Sequence, residues 1–374
     1  MRSEQIRWSQ KNGWVGYDKV QGAMRNLVLV FFDNHACLDP QWYETLKEMY
    51  PNAVIAGASS SGSVLDTIIS DEDAVATAIS FDRTQVRSAS KRVIDFQDME
   101  QLGIALGKEL HGETLRHVFI LSDGLTVNGS ELARGLSEVL PDGVSITGGM
   151  AGDGTRFGAT YVMAQGVAEI GVVAAIGLYG ESLVARSGCS AGWEEFGAER
   201  RITRSEGNVL YTIDDKPALE LYKSYLGEFA ADLPGSGLRF PMSVRKDAEG
   251  SPLIRTLLAI DEETQSLTFA GDIPNGGLCR LMKTNMDALI EHAGLAAKAS
   301  QMEHDDEFLV LLVSCVGRRL VLGQLCEEEL EIIREILGEK AILTGFYSYG
   351  ELSELGESRC TLHNQTMTLV SIYE

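Results

Sequence analysis

The apolar positions of this chain fall into a pattern that occurs three times. Each copy opens with a β-rich apolar run closing on a polar residue or a cysteine: residues 27–33 (LVLVFFD), 117–123 (HVFILSD) and 308–315 (FLVLLVSC). A loop and an amphipathic helix candidate follow, over residues 40–50, 129–140 and 326–338. Leu132, Leu136 and Leu140 share one helical face in the second copy, and Leu330, Ile333 and Leu337 do in the third. A second short apolar strand then runs into a glycine-rich loop, over residues 54–62, 145–154 and 342–351. Strand, helical crossover and strand predict a parallel pair with a right-handed connection. Duplication and convergence on a common α/β unit both fit this repetition.

Antiparallel signals lie between the copies. Residues 171–190 read as two strands turning at Tyr179-Gly180-Glu181, and residues 199–214 as a hairpin turning at Glu206-Gly207-Asn208. Residues 253–271 form a third hairpin pattern, residues 216–226 a helix capped by Gly227, and residues 282–300 a longer helix. The expected class is therefore α/β (mixed α+β), in two domains whose mixed parallel and antiparallel sheets are covered by helices. The Pro/Gly-rich break at 231–241 sets the boundary near residue 226, giving an irregular arm over 1–26 and domains over 27–226 and 227–374.

Composition narrows the function classes. The 374 residues carry 32 Lys+Arg against 54 Asp+Glu, a formal charge of −22. That excludes a nucleic-acid partner, which needs a basic surface to replace phosphate counterions, and docking on an anionic membrane. The apolar fraction is 44% and no uninterrupted apolar span approaches membrane length, so neither disorder nor membrane insertion is expected. The N-terminus lacks an apolar signal core, and the expected compartment is the cytoplasm. The six cysteines form no CxxC pair and the six histidines no HxxxH or HExxH, so no metal site is expected and the thiols read as reduced.

Five motifs carry candidate chemistry. GGMAGDG (148–154) is neither a dinucleotide fingerprint nor a Walker loop; it reads as a tight turn, or as a loop where Gly149 lets backbone approach a ligand and Asp153 accepts from an amine. GASSSG (57–62) fails the G-x-S-x-G test of a hydrolase elbow, leaving Ser59 as a polar ligand contact or a turn cap. SCVGRR (314–319) sets Cys315 at a strand end, where it reads as a buried thiol or, beside two arginines, as a reactive thiolate, and Arg318 offers a fork for a carboxylate. GFYSYGE (345–351) puts Tyr347, Tyr349 and Glu351 in one loop, as core or as an aromatic wall with a carboxylate. CTLHNQTM (360–367) places His363 and Asn364 on a terminal strand, where they need hydrogen-bond partners if buried.

At these residues the chain resembles the FIST sensory family, with its FIST-N and FIST-C domains. The matching segments are GGMAGDGTRFGATYV, SAGWEEFG, NVLYTIDDKPALELYKSYLG, GDIPNGG, SCVGRR, GFYSYGEL and LHNQTM, in order across residues 27–374. The resemblance implies a bacterial-type intracellular signal-input protein that binds a small molecule, with amino acids or related metabolites as the class. It implies an output partner such as a histidine kinase or a cyclic-dinucleotide enzyme. No such output segment is legible in the sequence, so a separate partner is expected. Some relatives bind haem and sense nitric oxide, and His363 is the axial-ligand candidate for that alternative. Otherwise no cofactor is expected. An enzyme using Cys315 is the third reading, and it lacks a nearby base, the nearest histidine in sequence being His304 in an acidic loop.

Overall fold

Strands as apolar as Leu27–Phe32 need cover on both faces, and the chain provides it with other sheets against Leu29 and Phe31 and a helix, through Trp42 and Leu46, against Val28 and Val30. The computed structural model describes residues 1–17, 25–35, 41–71, 73–302, 306–355 and 358–374. It is an α/β fold in two domains, about 25% helix and 43% strand, with mixed sheets. The helices among the described residues are α1 (Gln41–Met49), α2 (Met99–Leu110), α3 (Gly129–Val139), α4 (Ala218–Leu226), α5 (Met286–Ser300), α6 (Val316–Leu322) and α7 (Glu328–Leu337).

The threefold pattern is realised in space. Leu27–Phe32 runs parallel to Val54–Ser59, Leu115–Ser122 to Ser145–Met150, and Phe308–Cys315 to Ala341–Ser348. On its other side each first strand takes an antiparallel neighbour: Ala74–Ser80, Val172–Tyr179 or Met367–Tyr373. Each copy then lends a strand to another copy's sheet. Ser63–Leu65 pairs with Ala341–Ser348, Val162–Ala164 with Val54–Ser59, and Gly350–Leu355 with Ser145–Met150. The opposite edges are exchanged in the reverse sense, Gln85–Arg92 pairing with Val172–Tyr179 and Val184–Ser190 with Met367–Tyr373, while Arg2–Ser9 covers Ala74–Ser80 at the edge of the first sheet. The result is three six-stranded sheets around a shared core, where Phe31 stacks on Phe346 at 4.8 Å and Phe119, Leu311 and Val370 are buried.

This exchange corrects two expectations. The first residues are not an irregular arm: Arg2–Ser9 is a strand that buries Ile6 and Trp8. Residues 171–190 are not a hairpin, because Val172–Tyr179 and Val184–Ser190 pair in different sheets. One further expectation shifts. The terminal strand breaks at Gln365, whose φ is 64°, so His363 ends one strand and Met367 begins the next.

A fourth sheet, built from strands between Glu194 and Lys283, packs with α4 around its own core of Ile202, Leu210, Tyr222, Phe269 and Leu281. Gly227 caps α4 at φ 57°, its N–H bonded to the Lys223 carbonyl. Residue 226 therefore lies inside this unit. Where α2 crosses α3 the backbones touch: a Cβ on Gly135 would sit 2.0 Å from the Glu100 carbonyl oxygen, so only glycine fits.

Phe346→Ala opens a cavity at the meeting point of the three sheets and should cost about 3–5 kcal/mol, read as a lower denaturant midpoint. A midpoint within error of the wild type would contradict the shared core.

Candidate functional site

The three glycine-rich loops converge where the sheets exchange strands. Ser61 N–H bonds the Tyr347 carbonyl at 2.8 Å, Gly152 N–H the Ser59 carbonyl at 3.0 Å, and Tyr349 N–H the Met150 carbonyl at 3.0 Å. Most of the expected site residues lie here, and they are occupied by one another. Asp153 accepts the N–H groups of Phe157, Gly158 and Ala159 at 2.9, 2.9 and 3.1 Å, and the Tyr349 hydroxyl as well. It organises the 157–159 loop, which leaves it no free lone pair aimed at an amine. Ser59 Oγ accepts from Tyr161 N–H at 2.9 Å. Gly149 is a packing position: a Cβ there would lie 2.5 Å from Val313 Cγ1.

The arginine of SCVGRR already has its carboxylate. Arg318 is fully buried, with Nη2 2.9 Å from Glu329 Oε2, and it also donates to the Ala191 and Leu289 carbonyls. Glu329 further accepts from Tyr347 Oη at 2.7 Å and Ser314 Oγ at 3.1 Å. These groups form a closed buried network, so Arg318 and Tyr347 do not face a cavity. Cys315 is buried as well. Desolvation pushes its thiol pKa up, and nearby Glu351 adds to the shift. Of the two readings the buried thiol is the one observed and the reactive thiolate falls, because burial outweighs the arginine.

Glu351 sits opposite Gly149 on one side and His363 on the other. Its carboxyl accepts from Ser348 Oγ at 2.6 Å and Thr366 Oγ1 at 2.8 Å, and burial pushes its pKa up to about 7. His363 Nε2 lies 3.3 Å from the Ser353 carbonyl; burial, then Arg255, pulls its pKa down to about 4. An axial haem ligand needs a ring nitrogen open to a cavity, so His363 does not fit haem. Asn364 Oδ1 accepts from Thr256 N–H at 3.4 Å, while its buried Nδ2 finds no partner among the described residues. Among the described residues no group of His, Cys, Asp or Glu could hold a metal ion.

The open space lies to one side of this junction. A cavity of about 870 Å³ separates α3 and the strand Ser358–His363 from the fourth sheet. Its walls include Ser130, Arg134, Arg245, Lys246, Arg255 and Asp272. A second hollow of about 260 Å³ adjoins it, lined by Leu125, Asn128, Phe157, Phe269 and Tyr349, with Phe157 stacked on Tyr349 at 4.8 Å. Asp272 ties the two walls together: it accepts from Asn128 Nδ2 at 2.9 Å and pairs with Arg134 at 2.9 Å. Asn128 is also the α3 N-cap, its Oδ1 taking the Ser130 N–H at 3.0 Å. Of the expected site residues, Tyr349 reaches this space. Arg255 and Arg134 were missed; the one signal was an arginine inside the apolar run LIRTLL.

Two measurements test this assignment. Glu329→Gln leaves Arg318 buried without its charge and should cost about 3–5 kcal/mol, whereas replacing both partners by methionine should cost much less. Equal losses would contradict a closed pair. For Glu351 the folded state holds a proton that the unfolded state has released, so its contribution is complete below pH 4.5 and lost as pH rises through about 7. His363 opposes this between about pH 4 and 6.5, so the difference between wild type and Glu351→Gln is the clean readout. That difference should change by roughly 3 kcal/mol across the window, to the advantage of the variant at high pH. A difference independent of pH would contradict the buried carboxyl.

Comparison with known proteins follows this geometry. The FIST N domain matches residues 26–216 and the FIST C domain residues 218–354. An uncharacterised protein of Methanocaldococcus jannaschii is 25% identical over 210 residues, 49% of this chain, and the chain spans 40% of that relative's length. Two crystal structures align along the whole chain and 98% of their own: a chorismatase, with TM-score 0.34 and 9% identity, and cyanuric acid hydrolase from A. caulinodans, with TM-score 0.37 and 7% identity. Overlap that weak carries neither chemistry to this protein. The chain belongs to the FIST family, whose domains are sensory. Among the described residues no helix is long and apolar enough to cross a membrane.

Proposed function

With membership of that sensory family as the premise, we propose that this chain is a signal-input protein that binds a small molecule in the cleft between α3 and the fourth sheet. The observation that carries the reading is the cavity of about 870 Å³, within the roughly 300–1,000 Å³ of small-ligand sites, walled by two separately built layers and holding a few convergent polar groups. Amino acids or related metabolites, the class the family resemblance implies, suit it. The chain acts as a binder: its buried Cys315 thiol and capped Asp153 offer no activated nucleophile or base. The five described cysteines are free, which agrees with a reducing cytoplasm.

Signalling needs two states that the ligand distinguishes. A molecule touching both walls favours the arrangement in which they are closest, and the Asp272 bonds to Asn128 and Arg134 are the contacts that register the change. The output passes to a histidine kinase or a cyclic-dinucleotide enzyme.

Native mass spectrometry of the purified chain, followed by calorimetry against the amino acids, tests the proposal. A retained small molecule, or a saturable heat with at least one amino acid, is expected. An empty protein that binds no member of the panel overturns it.

A further inference from the structure

The charge of the cleft runs against that of the molecule. The chain carries −22, yet among the described residues this cavity presents Arg134, Arg245, Lys246 and Arg255 beside a single carboxylate, Asp272. Two of these cations have partners: Arg245 pairs with Glu199, and Arg134 with Glu100 at 3.1 Å and Asp272 at 2.9 Å. Arg255 is different. It is 2% exposed, and among the described residues no carboxylate lies within ion-pair distance. It is held by carbonyls alone: Nε donates to Asp272 O at 3.0 Å, and Nη1 to Ile254 O at 3.1 Å and Leu362 O at 3.0 Å. Among the described residues Nη2 has no acceptor.

Space has been kept for this group, since a Cβ on Gly271 would stand 3.0 Å from Arg255 Cζ. Burial pulls its pKa down to about 10, partly offset by the Asp272 carboxylate acting through space, and it stays charged at neutral pH. A buried cation that no carboxylate touches is costly unless something negative meets it, and a guanidinium edge suits a planar carboxylate or a phosphate. Lys246, on the exposed rim of the same cavity, adds attraction of the same sign.

On the reading that this cleft is a small-molecule site, we infer that its ligand is an organic anion whose carboxylate or phosphate group seats on the Nη2 edge of Arg255. The apolar and aromatic hollow beyond Asn128 receives the remainder of the molecule. A zwitterion without net charge is held less tightly than a net anion of the same size.

Calorimetry of the full chain with succinate, inorganic phosphate, glycine and ethanolamine tests this. Succinate or phosphate should bind at millimolar concentration or better, several-fold more weakly at 0.5 M than at 0.05 M salt. Binding of one and not the other identifies the anionic group. Arg255→Met should lower affinity at least tenfold and Arg255→Lys less, while Arg87→Met, exposed over the Tyr179 ring in another sheet, should leave it unchanged. Should Arg255→Met fail to fold, Ser251→Trp at the exposed rim must also weaken binding. The inference is overturned if glycine or ethanolamine binds better than both anions, if no probe binds, or if anion affinity ignores the Arg255 and Ser251 changes. A neutral molecule retained in native mass spectrometry removes this inference and leaves the sensor reading standing; an empty, inert protein removes both.

Discussion

A backbone group that leaves its own sheet must find a hydrogen bond in another, and that constraint organises this protein. Each glycine-rich loop carries its chain out of one sheet and onto the edge of the next, so the three sheets complete one another in a ring. The turn amides and carbonyls at the centre have no water to meet. They are satisfied by the other loops, as Ser61 is by Tyr347 and Gly152 by Ser59. This is why Asp153, Ser59, Tyr349 and Glu351 are inward-facing polar residues: they finish a closed junction. A junction of this kind is rigid, and rigidity is what a neighbouring binding cleft requires of one wall.

The cleft uses that rigidity on one side only. Its α3 wall is locked to α2 by close glycine contacts and to the core by Leu132 and Leu136. Its other wall belongs to a sheet with a core of its own. Between them stand Asp272, bonded across to α3, and Arg255, bonded to the Leu362 carbonyl on the strand that ends at His363. Occupancy of the cleft therefore bears on both layers, and through Leu362 on the segment that also carries Glu351's partner strand. Two walls with separate cores, joined by a few polar contacts, can rearrange without unfolding either.

Much of the fold was legible because its signals are local. The three strand–helix–strand units appear in the sequence with nearly the observed boundaries, since apolar runs and the spacing of Leu132 and Leu136 depend on near neighbours. The exchange of strands was not legible. Val172–Tyr179 and Val184–Ser190 look like a hairpin, and only their distant partners Leu115–Ser122 and Met367–Tyr373 separate them. The motifs named residues that do meet, but not that they would close a junction by satisfying one another. A buried carboxylate such as Glu329, which occupies Arg318, and the backbone donors that occupy Asp153 are invisible until the fold brings them together. Arg255 was passed over for the converse reason: nothing local marks an arginine in a strand as one held by carbonyls, with no direct carboxylate contact.

Where a ligand sits is the claim on which the functional account turns. Hydrogen–deuterium exchange of the full chain, with and without the small molecule that binds it, reads this directly. Protection should appear in the first turns of α3, in residues 244–255 and 271–274, and along Ser358–His363, with the junction at 59–62 and at Tyr347 and Ser348 unchanged. Protection confined to the junction, or to a face remote from Arg255, would contradict the account.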